Sequence, residues 1–229
     1  MIATPVLTPR LRTGLGLLSL WAAGLSAHLA VAETAARWDG SSGWFVEASA
    51  GVSIVPGGDL TLNGVRYEAE FKNGLLFHGA IGRRWSDQWS TELEFFYRSN
   101  EADSLVSPQG ALKGGDLAST NVMFNVTYTL ADRWSLASIR PYVGLGAGVM
   151  QEVDVDLTGF GPEEFSARGD FIYQWLVGLQ RAVGANGQVY LEGRAIAAGK
   201  PSLESSTGPR RLVAEYDTWS LLAGLRWSF

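Results

Sequence analysis

The chain has 229 residues, a formal net charge of −5 at neutral pH, 46% hydrophobic residues and no cysteine. An acidic balance with no large basic cluster argues against a nucleic-acid partner. The missing cysteines exclude disulfides, thiolate metal sites and a lipoprotein anchor.

The first segment reads as an export signal. Arg10 and Arg12 precede an apolar stretch over about 15–29, and Ala30-Val31-Ala32 follows, with no acidic residue before Glu33. This is the layout of a cleavable secretory signal, cut between Ala32 and Glu33. Its apolar core is too short for a membrane-spanning helix, which needs roughly 20 residues. Removing residues 1–32 leaves 197 and shifts the net charge to −7, because two arginines and no acids depart. His28 and Trp21 leave with the signal, and His78 becomes the only histidine.

The remainder alternates with period two. After a short periplasmic N-terminal segment over 33–43, eight strands are expected near 44–54, 75–84, 88–98, 120–130, 140–150, 171–181, 188–197 and 218–229. Each has about ten residues, the length that crosses a bilayer when tilted. Their connections alternate in size, long over 55–73, 99–119, 151–170 and 198–217, short over 85–87, 131–139 and 182–187. The expected fold is therefore all-β. It is an eight-stranded antiparallel transmembrane barrel in an up-and-down meander over 44–229, after a cleaved signal peptide, with four long loops outside. Such a wall cancels in mean hydropathy because apolar and polar faces alternate.

The aromatic residues give the same orientation. Trp44, Trp85, Trp89, Trp134, Trp227 and Phe229 map to the periplasmic end, and Phe77, Tyr97, Tyr173 and Trp219 to the other. That makes two interfacial girdles. In the last strand Trp219, Leu221, Ala223, Leu225, Trp227 and Phe229 share one face. This ending also looks like the signal read by outer-membrane assembly machinery, with Gly224, Leu225, Trp227 and the terminal Phe229 as its elements.

Three segments carry a family resemblance: Pro141-Tyr-Val-Gly-Leu-Gly-Ala-Gly-Val149, Tyr173-Gln-Trp-Leu-Val-Gly178 and Leu222-Ala-Gly-Leu-Arg-Trp-Ser-Phe229. They resemble the OmpA-like, opacity-type family of small outer-membrane barrels. The resemblance spans the mature chain in layout and implies location and fold more than any activity.

The candidate site lies in the lumen. The inward faces hold Glu47, His78, Arg84, Glu92, Glu94, Glu192, Arg194 and Arg226, whose opposite signs predict a salt-bridged plug in a narrow interior. Gly144, Gly146 and Gly148 share an inward face and lack the spacing of a dinucleotide fingerprint. They make room for bulky neighbours, unless the lumen is open there. Glu152, Asp154 and Asp156 continue the inward parity of the fifth strand, as a solvated rim or a divalent-cation site. Pro209-Arg210-Arg211 is the best basic patch for lipopolysaccharide phosphates.

The composite expectation is an integral outer-membrane protein with a structural, surface-facing role, no cofactor, no resident metal and no catalytic residue. Its partners are outer-membrane lipids and lipopolysaccharide, the assembly machinery, and host or surface ligands met through the loops. Two alternatives stay open. One is a narrow conduit for small or hydrophobic molecules, resembling outer-membrane protein W, which requires an apolar and unobstructed upper lumen. The other is a lipid A-modifying enzyme resembling the 3-O-deacylases, whose chemistry would have to use His78. The sequence has no serine two residues after His78, where that family carries one.

Overall fold

Alternation of burial along single strands sets the architecture. In Phe171–Val183 every second residue from Ile172 to Gln180 is buried, and Phe171, Tyr173, Trp175, Val177 and Leu179 are exposed. A computed structural model describes residues 42–62, 64–107, 110–113, 115–131, 138–157, 163–198, 202–205, 211–214 and 217–229. The export signal expected over 1–32 and Trp134 lie outside the described residues.

In chain order the strands are β1 (Gly43–Ile54), β2 (Gly58–Leu62), β3 (Val65–Phe71), β4 (Gly74–Arg84), β5 (Trp89–Ser107), β6 (Gly110–Lys113) and β7 (Asp116–Thr129). They continue with β8 (Ile139–Leu157), β9 (Glu163–Ala167), β10 (Phe171–Val183), β11 (Gly187–Ala197), β12 (Ser202–Ser205), β13 (Arg211–Ala214) and β14 (Thr218–Ser228). Eight of them close a ring of antiparallel neighbours in the order β1, β4, β5, β7, β8, β10, β11, β14. Pairing of β1 with β14, from Phe45↔Ser228 to Ile54↔Trp219, completes the ring and leaves it no open edge. Closure gives every wall strand a hydrogen-bonding partner on both sides, which a lipid environment demands.

The long connections are more ordered than their sequence suggests. β2 pairs with β3 and β13, β13 with β12, β12 with β9, and β9 with the far end of β8. β3 pairs in turn with the far end of β5. With the β5–β7 and β7–β8 ladders this makes a second closed ring, stacked on the first and built from prolongations of the same wall. Its pieces, four to seven residues long, escape a period-two scan because breaks such as Pro56-Gly57 interrupt the pattern. The 19 residues of β5 span about 63 Å along the strand and about 48 Å along a barrel axis tilted by roughly 40°. An outer-membrane apolar band is only about 25 Å tall, so the second ring stands clear of it.

The outer surface changes character at that boundary. On β5 the outward side chains run Trp89, Leu93, Phe95 and Tyr97, all exposed, and then turn to exposed Glu101 and Asp103. On β4 and β3 exposed Ile81, Phe77 and Leu75 give way to Glu70, Glu68 and Arg66. Trp44, Trp85, Trp89, Trp227 and Phe229 ring the end that carries Gly43 and Phe229, and Phe77, Tyr97, Tyr173 and Trp219 ring the other margin of the belt.

The interior changes in the opposite sense. At belt level the buried inward residues are mostly polar. Above them Leu76, Phe96, Met123, Met150, Ile172, Ile196 and Leu222 form an apolar cluster, with Arg98, Asn100 and Asn121 buried among the same levels. That cluster joins Leu60, Tyr67, Ala69, Leu117, Val153, Phe165 and Leu203 inside the second ring.

Leu145 lies midway along the outward residues of β8 and is exposed on the belt. Leu145→Arg is expected to destabilise the folded barrel by about 2–4 kcal/mol, the cost of a cation near the bilayer midplane. The measurement is urea unfolding in vesicles, scored by the faster gel migration that an unheated folded barrel keeps in SDS and a boiled one loses.

Candidate functional site

The belt-level lumen gathers charges from facing strands. Arg226 on β14 donates through Nε to Glu47 on β1, and its NH2 lies 3.6 Å from Glu92 Oε2 on β5. Its guanidinium stacks 4.3 Å from the ring centroid of Phe45. Arg194 on β11 donates through Nε to Glu192 on its own strand and through NH1 to Glu94 on β5. β5 and β11 are diametrically opposite in the ring, with three strands between them on either side. The Arg194–Glu94 pair therefore crosses the full lumen.

Neutral side chains complete the network. Asn125 donates from Nδ2 to Glu92 Oε1 at 2.9 Å and also to Glu94. Gln174 donates to Glu94 Oε2 at 3.1 Å and to Asn125 Oδ1 at 2.6 Å. The Tyr142 hydroxyl donates to Glu192 Oε2 at 2.8 Å. His78 Nδ1 is 3.0 Å from Ser49 Oγ and 3.5 Å from the Tyr190 hydroxyl, and its Nε2 is 3.8 Å from Glu94 Oε2. Buried pairs of this kind are costly to break from one side, by about 3–5 kcal/mol, because the abandoned charge stays out of water.

Ser49, His78 and Glu94 thus stand in a row that resembles a nucleophile–base–acid relay. The His–Glu separation exceeds a hydrogen bond, and neither the imidazole nor the Glu94 carboxylate has exposed surface. Glu94 is also held by Arg194, Asn125 and Gln174, an arrangement suited to cross-linking strands.

Seven of the eight charged or titratable lumen residues expected from sequence come together here. The eighth, Arg84, is buried at the terminal end of β4, where NH2 donates to Ser228 Oγ at 3.5 Å. Asn125, Gln174, Tyr142, Tyr190 and Ser49 were not singled out, although all lie on inward parity with residues that were. Arg98 was also missed. It is 1% exposed one turn of alternation beyond Phe96, and it donates to Ser119 Oγ at 3.2 Å and to the Thr218 hydroxyl.

Glycines make the space for these large side chains. A Cβ at Gly146 would sit 2.0 Å from Asn125 Oδ1, one at Gly178 2.4 Å from the Tyr142 ring, and one at Gly224 2.5 Å from that of Tyr190. Gly146 therefore adjoins filled space and not an open passage. Gly224 has a packing reason of its own, whatever else reads it. The other C-terminal residues, Leu225, Trp227 and Phe229, point outward and are exposed. The Phe229 amide donates to the Trp44 carbonyl at 2.9 Å.

The acidic run on β8 does not keep its inward parity. Thr120 pairs with Glu152 and Asn121 with Met150, so Gln151 is an extra residue in a β-bulge. One inserted residue exchanges the two faces of a strand. Val153 accordingly turns inward at 1% exposure, and Glu152 pairs with Arg168 at the surface. Beside the bulge lies an open recess of about 510 Å³, lined by Thr120, Met150, Gln151, Glu152, Arg168 and Gly169 among others. Pro209 and Arg210, and the side chains of Asp156 and Arg211, lie outside the described residues.

No family model matches the chain, and no curated protein matches it by sequence. Solved structures do. Neisserial surface protein A is 17% identical with a TM-score of 0.54, over 82% of this chain and 99% of that one. The outer-membrane protein OprG of Pseudomonas aeruginosa is 15% identical with a TM-score of 0.62, over 82% of this chain and 96% of its own. With its closed ring, apolar belt and polar lumen, the chain has the fold of the small eight-stranded outer-membrane β-barrels.

Proposed function

We propose that this is an integral outer-membrane protein whose role is structural and surface-facing. It occupies the membrane with its belt and holds a rigid β-walled extension outside. That extension presents its outer wall and loop tips to lipopolysaccharide, the environment or a host surface. The observation that carries this reading is the Arg194–Glu94 pair across the lumen diameter, with apolar packing above it. A barrel cross-linked through its centre and filled above is built for rigidity. Export through the periplasm, and assembly guided by Gly224, Leu225, Trp227 and Phe229, belong to the same proposal.

A second reading draws on the apolar upper interior. The conduit alternative requires apolar inward surface in the outer half, and Leu76, Phe96, Met123, Met150, Ile172 and Leu222 supply it. These side chains are buried against one another, so passage would need them and the ion pairs beneath to move. The two readings separate in planar bilayers. The structural role predicts no stepwise conductance from the wild-type barrel and a measurable one only after Arg194→Ala loosens the centre. Stepwise current from the wild type would favour the conduit.

The enzyme alternative is set aside in this proposal because His78 lies inside the wall, away from any lipid acyl chain. Lipid A from matched cells with and without the protein is expected to give identical mass spectra. Gain or loss of an acyl chain would overturn the non-catalytic reading and direct mutagenesis to His78.

A further inference from the structure

We propose that the lumen binds a divalent cation of the zinc type between Glu47, His78 and Glu92. One ligand atom from each of these three residues lies within 4.8 Å of the other two, and all three side chains are buried. Ligands about 2.0–2.2 Å from a zinc ion stand roughly 3.3 Å apart, so small side-chain rotations close the site. A mixed set of one imidazole nitrogen and two carboxylate oxygens suits zinc and neighbouring first-row cations better than magnesium or calcium.

Two further observations point to a ligand. Among the described residues, His78 Nε2 and Glu92 Oε2 are buried atoms that make no hydrogen bond. Their neighbours, Glu94 Oε2 at 3.8 Å and Arg226 NH2 at 3.6 Å, are too far for one. Buried polar atoms are nearly always satisfied, and both of these belong to residues of the proposed site. The other imidazole nitrogen is already engaged, because Nδ1 can donate to Ser49 Oγ at 3.0 Å. That tautomer leaves the Nε2 lone pair available to a cation, with the other ring nitrogen held by a second-sphere partner as in metal-bound histidines.

Four buried carboxylates, Glu47, Glu92, Glu94 and Glu192, and two buried guanidiniums, Arg194 and Arg226, line this part of the lumen. Arg226 keeps Glu47 Oε1, so Glu47 would bind the cation through its second oxygen while its ion pair persists.

The test uses the untagged, full-length mature barrel, refolded in detergent with cobalt(II) as the probe and then desalted. The expected result is one retained equivalent with a visible cobalt spectrum, displaced by zinc, together with shifted ring resonances of the lone histidine. His78→Gln and Glu92→Gln should abolish retention while each keeps the heat-dependent gel mobility of a folded barrel. Ser49→Ala should weaken binding by about 10–100-fold through loss of the imidazole's partner. A folded wild-type barrel that retains no cobalt overturns the proposal, whatever the variants do. So does cobalt retained equally by folded His78→Gln, which would place the ion on surface carboxylates.

Discussion

The width of an eight-stranded ring governs the rest of this structure. Its interior is just wide enough for inward side chains to meet across the axis. A charge on one strand therefore answers to a charge on the opposite one, as Arg194 answers to Glu94. The same confinement forces size alternation. Tyr142 occupies the space left by Gly178, and Tyr190 that left by Gly224. Neither glycine can gain a side chain while its tyrosine stays in place. A methyl group added at either glycine meets an aromatic ring well inside contact distance.

Confinement also explains why polar residues fill the belt interior. The outward face of each strand must be apolar to meet lipid, so alternation assigns the polar residues to the inside. They are then tolerated only as a mutually satisfied set. Glu94 receives Arg194, Asn125 and Gln174 together, and Glu192 receives Arg194 and Tyr142. Beyond the lipid the demand reverses. There water meets the outer wall, and the inward residues become Leu60, Leu117, Val153, Phe165 and Leu203, as in a soluble protein.

Much of the belt was legible in the sequence because period two is a strong signal where lipid enforces it. The ranges expected for the eight wall strands agree with the structure closely where Trp, Leu and Val alternate with polar residues. The far ends of β5 and β8 did not read as strand. Past Arg98 and Met150 the apolar face passes from outside to inside, so a continuous pattern loses its phase. The Gln151 bulge adds a second loss of phase, and it carried the reading of Glu152 and Asp154 to the wrong face. Parity alone placed Glu47, His78, Glu92, Glu94, Glu192, Arg194 and Arg226 inside. It could not say which would touch, because the pairs across the lumen depend on stagger between strands far apart in sequence. Arg84 illustrates the limit, placed inside by parity, which gave no sign that it would meet Ser228 across the strands.

The exchange of faces along β5 has a bearing on depth. Leu93, Phe95 and Tyr97 match hydrocarbon, and Glu101 and Asp103 match water, the first of them four residues past Tyr97 on the same strand. A barrel with a uniformly apolar wall could ride higher or lower as membrane thickness varies. This one carries a waterline. Sinking would drag carboxylates into lipid, and rising would lift Phe95 and Tyr97 into water. A thinner or thicker bilayer would therefore have to deform around the protein.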